Sequence, residues 1–210
     1  MRRGKFETRK TSGCNKPVAK DQKLSFTQTV LLYLHDIVYL LGIILLVLML
    51  VFRVVVVSGS SMLPTLYSGD RLLLLSTPLY NSPKYGDIVV ASKDSFEDGE
   101  PIIKRVIAVE GQTVDIDFAT GTVYVDGIAL DEPYINNLTT LDEGTDLPLI
   151  VDKGCVFVLG DNRNRSQDSR SPQIGQIDKR ELLGKAIFLF MPGIDEQTKQ
   201  RDYGRIGGLS

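Results

Sequence analysis

Histidine occurs once in this 210-residue chain, as His35, ahead of a long apolar run. Everything beyond that run lacks an imidazole, so a Ser-His-Asp or Cys-His arrangement there is excluded. Histidine-based zinc hydrolase motifs fail for the same reason, and G-x-S-x-G and S-x-x-K are both absent. A serine nucleophile would then need a different base, and the workable substitute is a lysine whose amine is neutral near pH 7. Free lysine titrates near ~10.4, so burial in apolar surroundings has to lower it by several units.

Three stretches hold groups of this kind. In "SGSSMLPTL" (Ser58–Leu66) small residues precede Pro64, the marks of a tight turn. Such a turn presents a serine hydroxyl and its own backbone N–H to one carbonyl group. The same composition also describes a plain linker, and the stretch alone does not choose among Ser58, Ser60 and Ser61. In "PIIKRVIAV" strand alternation puts Lys104 on one face with Ile102, Val106 and Ala108, and Arg105 on the other. A lysine on an apolar face suits a desolvated base, and equally an edge strand blunted against aggregation. "GDNRNRSQDSR" (Gly160–Arg170) follows an apolar strand and packs Asp, Asn, Arg and Ser more densely than a simple hairpin needs. Alone, it also reads as a surface loop rich in Asx turns.

These stretches are positioned by short β-branched runs separated by Gly, Asp, Asn and Pro at intervals of about ten residues, an all-β pattern. Strands are expected at Arg71–Ser76, Asp87–Ser92, Ile102–Val109, Thr113–Phe118, Thr122–Asp126, Cys155–Gly160 and Lys185–Met191. Gly121 and Gly127 supply hairpin turns. Residues 111–153 read as a hairpin-rich lobe inserted into a larger sheet, with "NNLTTLDEGTDLP" as a mobile polar loop, and residues 193–210 as a flexible tail. The expected class is mainly β: an antiparallel domain over residues 58–192 with a small inserted lobe, preceded by one N-terminal transmembrane helix.

That helix is read from the uncharged run Ile37–Phe52, which Arg53 interrupts and Val54–Val57 extends, giving a span over 37–57. Residues 1–24 hold eight Lys and Arg against Glu7 and Asp21, whereas 15 basic and 23 acidic residues follow from Ser58 onward. The basic lead-in places residues 1–36 in the cytoplasm and the later residues outside, in a single-pass protein of the cell membrane. A cleaved secretory leader is the competing reading, but the preceding segment is long and "VVVVSGSS" offers no small-x-small cleavage site. A soluble core helix fits less well, since the run has no polar face. No basic patch interleaves with aromatics, which sets nucleic acid aside. Cys14 and Cys155 fit neither a C-x-x-C nor a metal spacing, and Cys155 reads as a small apolar side chain.

Taken in order, the anchor, "SMLPTL" (Ser61–Leu66), "YGDIV" (Tyr85–Val89), "KRVIAVEGQTV" (Lys104–Val114) and "GDNRNRSQDSR" resemble a bacterial type I signal peptidase, the membrane-bound serine protease that removes signal peptides from exported proteins. The resemblance implies that Ser61, directly before Met62, is the nucleophile and Lys104 the general base. It implies that Ser166 hydrogen-bonds and orients the lysine amine, that Asp168 and Arg170 are a pair bracing the site, and that Met62 and Pro64 shape the substrate-binding turn. Asp161 and Asn162 are expected to be structural. Some family members add a hydroxyl two residues before the nucleophile to its backbone N–H as oxyanion donors. Here that position is Gly59, so the Ser61 N–H is left as the main donor beside Gly59 and Ser60, a pattern similar to the Gram-positive subset. No metal or cofactor is implied. The expected partners are the lipid bilayer and extended precursor segments with small side chains at positions 1 and 3 before the cut. A self-cleaving Ser/Lys protease and a catalytically silent membrane-anchored β domain are the alternatives.

Overall fold

The computed structural model describes residues 25–77, 79–93, 96, 99–195 and 199–209. The basic residues 1–24 of the expected cytoplasmic segment lie outside the described residues.

Helix α1 (Phe26–Val51) begins after Ser25, whose N–H donates to Gln28 Oε1 at 3.0 Å and whose carbonyl accepts the Thr29 hydroxyl. This is half of a capping box, and it starts the helix well before the expected residue 37. None of its 26 residues is buried, and at 1.5 Å per residue it is about 39 Å long, enough for a hydrocarbon core of about 30 Å. The helix also stops short of the expected residue 57. Residues Phe52–Val56 form strand β1 instead, because β-branched valines lose rotamer freedom in a helix and pack well on a pleated surface.

The remaining strands are β2 (Arg71–Ser76), β3 (Ile88–Ala91), β4 (Ile102–Val109), β5 (Thr113–Asp117), β6 (Thr122–Val125), β7 (Ile128–Ala129), β8 (Leu149–Ile150), β9 (Cys155–Leu159), β10 (Ile177–Asp178), β11 (Leu182–Met191) and β12 (Gly207–Gly208). The main sheet runs β1-β2-β11-β3-β4-β9-β10, with β12 added beside β11, and its pairings are antiparallel. A second sheet, β7-β6-β5-β8, is the inserted hairpin lobe, carried between the neighbouring strands β4 and β9. Asp126 (φ 52°) and Gly127 (φ 77°) form its tightest hairpin turn, where two consecutive positive φ angles are required.

Period-2 alternation puts the two faces of the main sheet against different cores. Ile88, Val90 and Ile103 face a cluster with Leu72, Leu74, Met62 and Leu66, whereas Val89, Ala91 and Val106 face one with Val156, Val158 and Ile177. All four residues of β3 are consequently buried, as expected for a strand covered on both sides. Each such aliphatic side chain contributes roughly 1.5–3 kcal/mol relative to exposure. β3 and β4 are therefore a firm base for whatever β4 carries.

The tail departs from expectation. β12 pairs with Phe188 and Leu189, Leu209 packs on the first core cluster, and the Asp202 carboxylate caps the short 3-10 turn Tyr203–Arg205. Residues 202–209 are thus held by main-chain pairing and apolar contact that their polar, glycine-rich composition does not announce.

Candidate active site

The segment carrying the serines is a closed loop. Val57 N–H donates to Asp70 O at 2.8 Å and Gly69 N–H to Val57 O at 2.9 Å, which pins both ends. Inside it, Leu63 N–H donates to Ser60 O and Leu66 N–H to Met62 O, winding the chain into successive turns. Met62 and Leu66 point into the core with Val57 and Ile103, so the loop is anchored by its apolar side chains. Pro64 is exposed, on the outer side of the turn. Gly59 has φ +85°, and a Cβ there would meet no atom within 4 Å. Its backbone angle, not crowding against the protein, is what favours glycine at this position.

Ser61 Oγ lies 3.0 Å from Nζ of Lys104, which also donates to the Ile103 carbonyl at 3.2 Å. Lys104 sits in the middle of β4, opposite Val89 of β3, with only 5% of its surface exposed. It shares a face with Ile102 and Val106, as alternation predicts. Ala108, expected on that face, turns away because a bulge between Val106 and Ala108 shifts the register, and it joins Ile107 and Phe157 in the core of the lobe. Burial on this scale disfavours an ammonium relative to a neutral amine.

Arg105, on the opposite face, is not a bystander. Its Nε and NH2 donate to the two oxygens of Asp161 at 2.8 Å each, its NH1 reaches Gly86 O at 2.9 Å, and its guanidinium lies 4.0 Å from the centre of the Tyr134 ring. Asp161 also accepts the Thr65 hydroxyl at 2.5 Å. One fully buried carboxylate therefore ties the strand carrying Lys104 to the loop carrying Ser61. Removing either partner of a buried pair of this kind costs about 3–5 kcal/mol.

The loop 160–170 closes the site from the other side. Asn162 donates from its backbone N–H to Ser61 O at 2.9 Å and from its side chain to Ser60 O at 3.0 Å. Gly160 has to be glycine, since a Cβ there would lie 2.1 Å from Ser166 Oγ and 2.6 Å from Ser61 O. Asp168 accepts from Gly160 N–H at 3.0 Å and from Arg170 Nε and NH2 at 2.8 and 2.9 Å. Arg170 NH1 donates to the Leu141 carbonyl, and the NH2 that meets Asp168 also reaches the carbonyls of Arg163 and Ser166. Asp168 and Arg170 are thus paired, and they act on the loop's shape. Ser166 is 2% exposed and beside Ser61, but its hydroxyl makes no hydrogen bond among the described residues. The expected bond from Ser166 to the Lys104 amine is not formed; the contacts of that amine include Ser61 Oγ and the Ile103 carbonyl.

The polar stretch Asn136–Pro148, expected to be mobile, is docked on this loop. Asn136 N–H donates to Asp161 O, Thr145 N–H to Arg170 O, and Asn164 Oδ1 accepts from Thr140 and Leu141 N–H. Glu132, just before it, accepts both NH groups of the buried Arg163, which also reaches the Thr139 hydroxyl. Glu143 lies 3.6 Å from Arg170, and burial, then the neighbouring Asp168 carboxylate, push its carboxyl above the usual range. Composition concealed these contacts, since polar residues that satisfy buried arginines look the same in a sequence as residues that face water. Asn162, Arg105 and Gly160 were visible only as members of their motifs.

A cavity of about 690 Å³ opens beside Ser60 and Gly59, with Leu63, Tyr67, Asn162 and Arg165 among its walls. Among the described residues the Ser61 N–H has no protein acceptor, so it is free to donate toward a bound carbonyl oxygen. No group of three or more His, Cys, Asp or Glu among them could hold a metal. A serine hydroxyl against a buried lysine amine, beside a free backbone donor, is the equipment of a nucleophilic hydrolase.

Comparison with known proteins narrows this class to one family. Residues 30–191 match the family described as signal peptidase, peptidase S26. The chain is 37% identical over 149 residues to the signal peptidase I of Bacillus licheniformis, covering 67% of this chain and 77% of that protein. It is 32% identical over 182 residues to signal peptidase I S of Bacillus subtilis (strain 168), covering 82% of this chain and 95% of that protein. A crystal structure of a signal peptidase I from Enterococcus faecalis V583 aligns with 31% identity and a TM-score of 0.41 over 50% of this chain and 96% of that one. The chain belongs to the signal peptidase S26 family.

Proposed function

We propose that this protein is a membrane-anchored serine endopeptidase that cleaves signal peptides from exported precursors, with Ser61 as nucleophile and Lys104 as general base. The observation that carries the assignment is the 3.0 Å contact between Ser61 Oγ and the buried Lys104 Nζ. Neutral Lys104 takes the hydroxyl proton as Oγ bonds to the scissile carbonyl carbon, and the resulting oxyanion faces the Ser61 N–H. Collapse breaks the C–N bond, and the lysine ammonium returns its proton to the leaving amine. The same amine then draws a proton from a water whose oxygen bonds to the acyl carbon, the C–Oγ ester bond breaks, and the ammonium returns that proton to Ser61 Oγ. Gly59 contributes no hydroxyl, so catalysis relies on the main-chain donor, and Ser60 serves through its carbonyl in holding the turn.

Asp168 and Arg170 act as positioning residues for loop 160–170, and Ser166 packs a hydroxyl against the nucleophile's backbone. Met62 seats the turn in the core and Pro64 shapes its outer surface. Substrate is an extended precursor segment with small side chains at positions 1 and 3 before the cut. Helix α1 spans the cell membrane once, with the basic N-terminal residues in the cytoplasm and the β domain outside, in keeping with the charge asymmetry along the chain.

The test is in-vitro processing of a purified precursor by wild type, Ser61→Ala and Lys104→Ala. Wild type is expected to release mature protein in trans, and each variant to lose at least about a thousand-fold in rate. Cleavage by both variants at the wild-type rate would overturn the assignment, and failure of wild type to cleave in trans would favour a self-cleaving or silent domain.

A further inference from the structure

The residues after Pro192 lie beyond the segment that matches the family, 30–191, yet they grip the loop that carries Ser61. Arg205 donates to both oxygens of the fully buried Asp70, NH1 to Oδ1 at 3.1 Å and NH2 to Oδ2 at 2.7 Å. The same NH2 donates to the Thr65 carbonyl at 3.0 Å, and the guanidinium lies 4.2 Å over the Tyr67 ring. Asp70 in turn accepts from Tyr67 N–H at 2.8 Å and from Gly193 N–H at 2.7 Å. A Cβ on Gly193 would lie 2.2 Å from Ser68 O, so the tail starts flush against the loop and returns to it at Arg205. β12 fixes the return by pairing with β11.

Thr65 is held from two directions. Its hydroxyl goes to Asp161, and through Asp161 to Arg105 beside Lys104, while its carbonyl goes to Arg205. We propose that the C-terminal segment 199–209 is a strap that sets the position of the nucleophile loop against Lys104, with Arg205 as its positioning residue. The inference rests on Ser61 being the nucleophile. A planar fork that reaches a carboxylate, a carbonyl and an aromatic face together has no equivalent in lysine, which supplies only a point charge. Arg205→Lys therefore keeps the charge pairing with Asp70 and loses the grip on Thr65 and Tyr67.

The experiment compares full-length wild type, Arg205→Lys and Arg205→Ala in precursor cleavage, in thermal unfolding and in amide hydrogen exchange over residues 58–68. For Arg205→Lys, kcat is expected to fall about ten-fold, since small misplacements of a reacting group are costly. KM should stay within about two-fold of wild type, and the melting temperature near it. Exchange over 58–68 should quicken while β4 and β9 stay protected. Arg205→Ala should lose at least as much, and if it does not fold, Arg205→Lys carries the test. Wild-type kcat with unchanged exchange in Arg205→Lys would overturn the strap. A loss accompanied by faster exchange in β4 would also overturn it, because that marks general destabilisation. Exchange over 58–68 does not depend on which serine attacks, so an active Ser61→Ala would sink the nucleophile assignment and leave the strap to its own result.

Discussion

At the scale of single residues, the candidate site is a set of buried charges arranged so that each has a partner and few are spare. Asp161 serves Arg105 and Thr65, Asp168 serves Arg170 and Gly160, and Lys104 leans on Ser61. Glu143 is the exception. One of its oxygens is buried without a hydrogen bond, and burial, then Asp168, outweigh Arg170 and Lys104 in raising its carboxyl above the ordinary range. A raised carboxyl binds its proton more tightly in the folded state, so its ionisation opposes folding. That cost is absent below the unfolded value, about 4.3, and grows as pH rises through the folded one. Glu143→Gln is accordingly expected to raise the melting temperature at pH 7, with the gain closing as the pH is lowered past 4. Thermal unfolding across that range checks the sign. A variant less stable than wild type at pH 7, with a gap that widens upward, would show that the Arg170 pairing dominates instead.

At the scale of elements, the strands carrying the candidate groups were legible because their alternation and their turn glycines agree. β2 and β4 have the boundaries that the sequence suggests, and Lys104 is buried on the face shared with Ile102 and Val106. Elements defined by tertiary contact were not legible. The apolar run splits between α1 and β1 because pairing with β2 captures the valines. The loop at 136–148 is ordered by arginines from elsewhere in the chain, and the tail by Asp70 and β11. The sequence pattern places the start of β11 at Lys185. The strand in fact begins at Leu182 and runs through Gly184, where a Cβ would lie 2.3 Å from Leu75 O. Gly184→Ala should therefore push β11 from β2 and destabilise the domain by about 1–3 kcal/mol, the usual range for overpacking. Urea unfolding measures this directly, and a stability equal to wild type would show that the β2–β11 seam yields without cost.

At the scale of the whole molecule, the candidate site is assembled from parts far apart in the chain. The nucleophile loop follows β1, the base is on β4, the bracing loop follows β9, and the strap comes after β11. Their meeting is a property of the antiparallel sheet, which puts β3 and β4 next to β11 and β9, and of the buried carboxylates that join them. The membrane and the charge asymmetry concern a different part of the protein, α1 and the residues before it. The account as a whole turns on which hydroxyl this assembly activates. Ser60 and Ser61 are adjacent, yet only Ser61 Oγ meets the Lys104 amine, while Ser60 contributes its carbonyl to Leu63 and Asn162. The most direct measurement is the single-turnover rate of precursor cleavage by Ser60→Ala and Ser61→Ala under identical conditions. The account predicts near wild-type cleavage for Ser60→Ala and none detectable for Ser61→Ala. Equal losses in the two variants, or turnover retained in Ser61→Ala, would contradict it.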